Sequence, residues 1–413
     1  MWFAGSTSAN IQSWLTANPT FRVLELDRYG SGSGERFSGV YVRNSGAAYS
    51  NGWGWAPDST LSAINQWADD NNMRVVDLDR GSNGRYAAVY EKAAPGQRYY
   101  WFGPATLTRA LEILQGMGLR AVTLTPRVQD GSTTYTMTAV NNTNGQSARL
   151  ADLTWSMHNG FQGFFVQRMN SGATVNLNAS RPFHPSSSIK TLFHYTGAST
   201  TLSSQLNTRM ISGELMVTRH QDMMWNSDNA DANLLMDTYT IPVIENLAHN
   251  TLGMSQVTQL RNRMGTGGPY GNDEINETTL VDMGILYQAI QEGRLGATKT
   301  SWMRSNMLNQ TNSGPWNNII NSERVSLGLS GAEYNDWINR VSYVLKAGNN
   351  SDDNNINGYW SCCGVITLPM KSNNIVTNQN FLFGHFVNRS TISYSGWTMT
   401  AEMLREQIRA SMA

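Results

Sequence analysis

Pro185-Ser186-Ser187-Ser188-Ile189-Lys190 holds Ser187 and Lys190 three residues apart, and the reading of this stretch decides that of the whole chain. If the segment opens a helix, residues i and i+3 share one face, so the serine oxygen and the lysine nitrogen can meet. The helix N-terminus also offers unpaired N–H groups to an anion. A serine hydroxyl is a weak nucleophile until a base takes its proton, and a neutral lysine amine can be that base. Ser and Lys meet at this spacing by chance in many proteins, so the case rests on what surrounds the pair.

Forty residues further on comes Ser227-Asp228-Asn229, and later Lys346-Ala347-Gly348 ends a strand-like run at 341–345. Ser-x-x-Lys, then Ser-Asp-Asn, then Lys-x-Gly on a strand is the ordered triple of the serine penicillin-recognising enzymes. The flanks fit as well: 229–233 continues the second motif as Asn-Ala-Asp-Ala-Asn, and 278–283 reads Thr-Thr-Leu-Val-Asp-Met. On these residues, 148–413 resembles the β-lactamase and penicillin-binding-protein superfamily, and 278–283 resembles the helix that follows the family's omega loop.

Composition narrows the alternatives. The chain has 413 residues, 40% of them hydrophobic, which is enough for two or three domains with sizeable cores. Its formal charge is zero, so no basic field argues for nucleic acid or an anionic membrane. No apolar run approaches the ~20 residues needed to span a bilayer, so membrane insertion is not expected. Residues 1–6 lack the basic and long apolar regions of a signal peptide. Abundant Asn, Ser, Thr, Gly and Trp with only five lysines nevertheless suit a secreted hydrolase, and secretion is the expected localisation. Cys362 and Cys363 are adjacent and cannot staple distant segments. They read as two buried thiols on a strand, with a strained vicinal disulfide as the sharper alternative.

Before residue 141 the chain repeats itself. Arg22-Val23-Leu24-Glu25-Leu26-Asp27 recurs as Arg74-Val75-Val76-Asp77-Leu78-Asp79 and as Arg120-Ala121-Val122-Thr123-Leu124-Thr125. Each copy alternates apolar and polar, as a half-buried strand does. A helix-like stretch precedes each (9–17, 59–69, 106–115), and a second strand follows each (39–42, 88–91, 135–138). Aromatic clusters at 53–55 and 99–103 read as closing the first two units. The expected unit is helix–strand–strand, near 50 residues, three times over, its copies packed on neighbours because one alone cannot bury its apolar face. The Gly30-to-Gly34 loop lies between strands, not before a helix, so it reads as a turn and not as a phosphate cradle.

The Asn-rich stretch 141–146 marks the domain boundary: 1–146 for the repeats, 147–413 for the hydrolase-like part. In the latter, 148–157 reads as a helix, 163–167 and 174–177 as a hairpin, 188–295 as mostly helical, 341–345, 364–368 and 381–387 as strands, and 400–412 as a closing helix. Two edge strands, a helical insert, three strands and a helix make an α+β fold, an antiparallel sheet with a helical lobe. A helix–strand–strand repeat ahead of such a domain is similar in architecture to the polyglycine hydrolases, secreted serine endopeptidases that cut glycine-rich linkers.

The resemblance implies roles. Ser187 attacks a carbonyl and becomes acylated. Lys190, its pKa lowered from about 10.4 by burial and by the facing charge of Lys346, is the base. Ser227 passes the proton to the leaving nitrogen, and Asn229 holds Lys190 and the substrate backbone. The N–H groups of Ser187 and Asn349 form the oxyanion hole, with Ala347 and Gly348 beside the substrate. Two departures stand out. The middle of the third motif usually carries a hydroxyl that helps hold a substrate carboxylate, and here it is Ala347. The omega-loop glutamate that deacylates class A β-lactamases has no clear match, although Glu274 and Glu277 are nearby. Both departures point away from antibiotics and toward the interior of a peptide.

Other candidates read more simply. His184 suits a structural place outside the helix start, and His220 and His249 lack partners at ligand spacing. The run 349–355 lacks the spaced acids and terminal Glu of an EF-hand. No metal or cofactor is expected. The partner expected is a peptide or protein substrate with an extended, glycine-rich segment. A cell-wall peptide carboxypeptidase, esterase or weak β-lactamase of the same superfamily is the alternative, and a non-catalytic binding module the alternative of another class.

Overall fold

A computed structural model of the chain describes residues 1–46, 49–92, 99–129, 132–141, 161–169, 174–265, 276–308, 328–351, 358–372 and 375–390. The helices read at 148–157 and 400–412, Glu274 and most of the 265–276 loop fall outside them. The chain divides into two compact units, Met1–Asn144 and Gly145–Ala413. No helix among the described residues is long and apolar enough to cross a membrane.

In the first unit the succession is β1 (Trp2–Ser6), α1 (Ser8–Ala17), β2 (Phe21–Tyr29) and β3 (Arg36–Arg43). It continues as β4 (Trp53–Ser59), α2 (Leu61–Asp70), β5 (Met73–Arg80) and β6 (Tyr86–Lys92), then β7 (Tyr99–Ala105), α3 (Leu107–Gly116), β8 (Leu119–Gln129) and β9 (Ser132–Asn141). The expected helix–strand–strand order therefore omits a strand. The aromatic segments at 53–55 and 99–102 do not close the preceding sheet; they lead the next one, each pairing with the last strand of its own sheet. The sheet orders are β1-β3-β2, β4-β6-β5 and β7-β9-β8.

Each helix starts the same way. Thr7, Thr60 and Thr106 accept the N–H of Asn10, Ala63 and Arg109. Such a cap satisfies an orphan helix donor and contributes ~1 kcal/mol. A bulge recurs in the strand after each helix, between Val23 and Glu25, Val75 and Asp77, and Ala121 and Thr123. It breaks the strict alternation read from the sequence and leaves Leu24 and Val122 exposed.

The free edge of one sheet is closed by side chains of the next. Asp77 accepts from the N–H of Leu26 at 2.7 Å, and Asp79 from that of Arg28. Thr136 and Thr138 donate to the carbonyls of Leu78 and Val76 at 2.7 and 3.1 Å. These bonds pair buried edge groups that would otherwise be left without partners.

In the second unit β10 (Phe161–Arg168) and β11 (Thr174–Leu177) form the hairpin, and β12 (Met210–Ile211) with β13 (Glu214–Leu215) a small separate one. Three long strands follow: β14 (Ser342–Ser351), β15 (Gly358–Ser372) and β16 (Ile375–Ser390). They complete an antiparallel sheet of order β11-β10-β16-β15-β14. Of the two strands read as edges, only β11 is one, because β10 pairs along its length with the last strand.

Period-two alternation gives this sheet two apolar faces. Phe165, Cys363, Val365 and Phe386 join the large core with the helices at Lys190–Thr200, Asn229–Tyr239 and Leu280–Gln291. Phe164, Leu345, Cys362 and Phe383 form a second cluster around Trp337 of helix Gly331–Arg340. Cys362 and Cys363 are accordingly free thiols facing opposite sides, not a vicinal disulfide, because successive residues of an extended strand point apart.

Burial raises the Asp77 carboxyl to about 7, well above its ordinary range. A carboxyl raised in the folded state adds stability that is present below pH ~4 and is lost as pH rises through about 7. Thermal unfolding of the full chain and of Asp77→Asn should therefore diverge with pH, the variant gaining on the natural protein from pH 4 to 8. A pH-independent difference would contradict this.

Candidate active site

The turn that holds Ser187 is strained and braced. Ser186–Ile189 form one 3-10 turn that runs into helix Lys190–Thr200, so Ser187 lies just before the helix and Lys190 is its first residue. Ser186 has φ +46°, a left-handed conformation that costs a non-glycine residue of order 1 kcal/mol or more. Its N–H donates to His184 Nδ1 at 3.1 Å, while Ser188 Oγ and Ser361 Oγ both donate to the Pro185 carbonyl at 2.6 Å. Burial lowers His184 to about 4, so it is neutral at pH 7 and acts as an acceptor for this turn.

Strand β14 presses against the turn at Gly348. A Cβ there would stand 2.2 Å from the Ser187 nitrogen and 2.8 Å from its Cα. Only glycine permits this approach, which sets residue 349 of the same strand next to the Ser187 turn. Asn349 is exposed and lies opposite Trp360. Ala347 is 5% exposed and packs in the cluster with Leu345 and Cys362, so only its main chain is available to a substrate.

The second motif comes from a widened turn. Asp222–Asn226 form a π turn, which ends on Ser227 in a left-handed conformation (φ +58°, ψ +32°). Asp228 then caps the next helix, accepting from the N–H of Asp231 at 2.8 Å. This geometry turns both the carbonyl and the hydroxyl of Ser227 toward Lys190.

Lys190 is fully buried, and its amine donates to Ser227 O at 2.6 Å and to Asn229 Oδ1 at 2.7 Å, with Ser227 Oγ at 3.3 Å. Lys346, also buried, donates to the same Ser227 Oγ at 3.0 Å. Burial first, and then the Lys346 charge, lower Lys190 from 10.5 to about 7, against a smaller upward pull from Asp228. Burial lowers Lys346 to about 8. Burial therefore opposes the charged form of both amines, and at Lys190 the charge of Lys346 adds to that effect.

A neutral amine has two N–H donors and one lone pair. Ser227 O and Asn229 Oδ1 occupy the donors, so the lone pair is left for a serine hydroxyl. The Lys190 amine makes no hydrogen bond to Ser187 among the described residues; the two share a turn, but the amine is drawn to the second motif. The arrangement can remove a proton from one hydroxyl and hand it on through another.

Several residues that sequence reasoning did not single out complete the surroundings. Ser361 reaches the turn because the sheet register places it opposite Gly348. His194, one helical turn after Lys190, has its Nδ1 3.1 Å from that of buried His220, whose Nε2 meets the Tyr239 hydroxyl at 2.9 Å. No local spacing in the sequence marks His194; helix packing puts it beside His220. His249 Nδ1 lies 3.4 Å from the Met254 carbonyl, and Glu277 is paired with Arg261 at 3.4 Å. No cluster of three His, Cys, Asp or Glu suited to a metal occurs among the described residues.

A family profile described as "Beta-lactamase enzyme family" matches residues 217–316, a span that includes Ser227 and Asn229 but neither Ser187 nor Lys346. A β-lactamase from Sphaerobacter thermophilus is similar in structure, with TM-score 0.50 and 16% identity, over 64% of this chain and 96% of that one. A class A β-lactamase from Mycobacterium abscessus is 16% identical over 65% and 100%, with TM-score 0.49. No curated protein matches the chain. At these identities the likeness is one of fold: the chain carries a β-lactamase-like fold.

Because the approach of β14 to Ser187 requires glycine, Gly348→Ala forces main-chain atoms apart. Overpacking of this kind costs ~1–3 kcal/mol. Urea unfolding of the variant should show that loss, and an unchanged midpoint would contradict the contact.

Proposed function

We propose that this protein is a serine hydrolase of the β-lactamase-like superfamily that cuts peptide bonds within extended, glycine-rich segments. The observation that carries the reading is the single hydroxyl of Ser227 held between two buried lysines, one of them tuned to be neutral near pH 7. A structural ion pair would need an opposite charge; here two amines share a hydroxyl, an arrangement suited to proton transfer.

In the proposed cycle, neutral Lys190 takes the Ser187 proton as Ser187 Oγ attacks the substrate carbonyl. The N–H groups of Ser187 and Asn349 receive the developing oxyanion. Lys190, now an ammonium, returns the proton through Ser227 to the leaving amine, and the C–N bond breaks to give an acyl-enzyme. Water, deprotonated by the same path, attacks the ester carbonyl and releases Ser187. Lys346 stays charged throughout, which keeps Lys190 acidic and holds the Ser227 hydroxyl.

Substrate choice follows from what the site lacks. Residue 347 brings a buried methyl where a hydroxyl would help to hold a terminal carboxylate, which favours an internal bond. The close Gly348–Ser187 contact puts no side chain on that edge of the site, and a substrate glycine brings none to clash there. The similarity in architecture to the polyglycine hydrolases supports the same substrate, and the Asn-, Ser- and Gly-rich, lysine-poor composition supports action outside the cell.

Hydrolysis of a glycine-rich linker peptide should give internal cuts by mass spectrometry, and Ser187→Ala should reduce the rate at least ~10³-fold. Cleavage of a chromogenic cephalosporin with the linker left intact would instead favour a β-lactamase. The pH dependence of kcat/KM should rise through about 7 as Lys190 loses its proton and fall above about 8 as Lys346 loses its own. A rate that climbs without limit to pH 10 would contradict these assignments.

A further inference from the structure

Within the helical lobe, a cavity of about 330 Å³ opens between helix Ala297–Leu308, helix Met216–Gln221 and the segment around Leu206. Its size is at the small end of the ~300–1,000 Å³ range that holds small ligands. The walls carry four hydroxyl side chains, including Ser301 and Ser305, and three amides: Asn207, Gln221 and Asn306. Trp302 and two aliphatic side chains supply the apolar part, and no charged side chain lines it among the described residues.

One group there is unfinished. Asn306 is 2% exposed; its Oδ1 accepts from Gln221 Nε2 at 3.1 Å, but its Nδ2 has no partner among the described residues. Buried amide donors are nearly always paired, so an unpaired one in a cavity wall marks a place for an acceptor from outside the chain. Trp302 is a rigid wall: its Nε1 donates to Asn207 Oδ1 at 3.0 Å, and its ring packs on those of His194 at 4.8 Å and His220 at 5.3 Å.

We propose that this cavity is a binding site for an uncharged sugar, a mono- or disaccharide. Hydroxyl walls both donate and accept, as sugar hydroxyls do, whereas an ionic ligand would find no counter-charge. The indole and aliphatic groups match the C–H face of a pyranose, and the free Asn306 amide matches a ring or hydroxyl oxygen. This site does not depend on the chemistry assigned to Ser187.

Isothermal titration calorimetry with cellobiose and with N,N′-diacetylchitobiose tests it, with the acidic disaccharide lactobionate as the control. Saturable binding is expected for at least one neutral disaccharide and not for lactobionate. Ser301→Trp and Ser305→Trp, both at exposed lining positions, should each fill the cavity and weaken binding at least ~10-fold while circular dichroism stays unchanged. Ser187→Ala should bind as the natural protein does. No saturable heat with either neutral disaccharide, binding retained in both tryptophan variants, or binding lost in Ser187→Ala would overturn the proposal.

Discussion

An ammonium group taken out of water is costly unless it loses its proton or finds compensating charge, and the second unit is arranged around that constraint at Lys190. The drop from 10.5 to about 7 corresponds to about 5 kcal/mol set against the charged form. Among the described residues no carboxylate is bonded to the amine. Its partners are a main-chain carbonyl and an amide oxygen, which accept from a neutral amine as readily as they do from a charged one. Lys346 adds repulsion where a structural site would have added an acid.

Holding that amine requires strain elsewhere. Ser186 and Ser227 both take left-handed conformations, and both are fastened by neighbours: the first by His184, the second by the π turn before it and the Asp228 cap after it. Strained residues persist where the surrounding structure over-determines them. Gly348 adds the third constraint, bringing an edge strand into contact with the Ser187 turn. Three distant stretches of chain thus meet on one hydroxyl, that of Ser227.

Much of this was legible in the sequence because short motifs carry their own geometry. Ser187, Lys190, Ser227 and Lys346 were visible as spacings, and the strand-like run at 341–345 placed the last on a strand. The interrupted alternation of β2, β5 and β8 was harder to read, since a bulge needs the partner strand to define it. The leading strands β1, β4 and β7 escaped because their partners lie 27 to 41 residues away, and Trp53-Gly54-Trp55 carries no period of its own. Ser361 and His194 escaped for a related reason: sheet register and helix packing put them in place, and neither is encoded locally. The pull of Ser227 O on the Lys190 amine, in place of a Ser187–Lys190 contact, likewise depends on tertiary geometry.

With only five lysines in the chain, the protonation of Lys190 can be observed directly. Carbon-13 NMR of protein labelled at lysine Cε, titrated from pH 5 to 11 and assigned with Lys190→Arg, would follow each amine separately. The account predicts that the Lys190 signal titrates near 7 and moves upward when Lys346 is replaced by methionine. A Lys190 signal that titrates at the ordinary lysine value near 10.5, unmoved by the loss of Lys346, would contradict it.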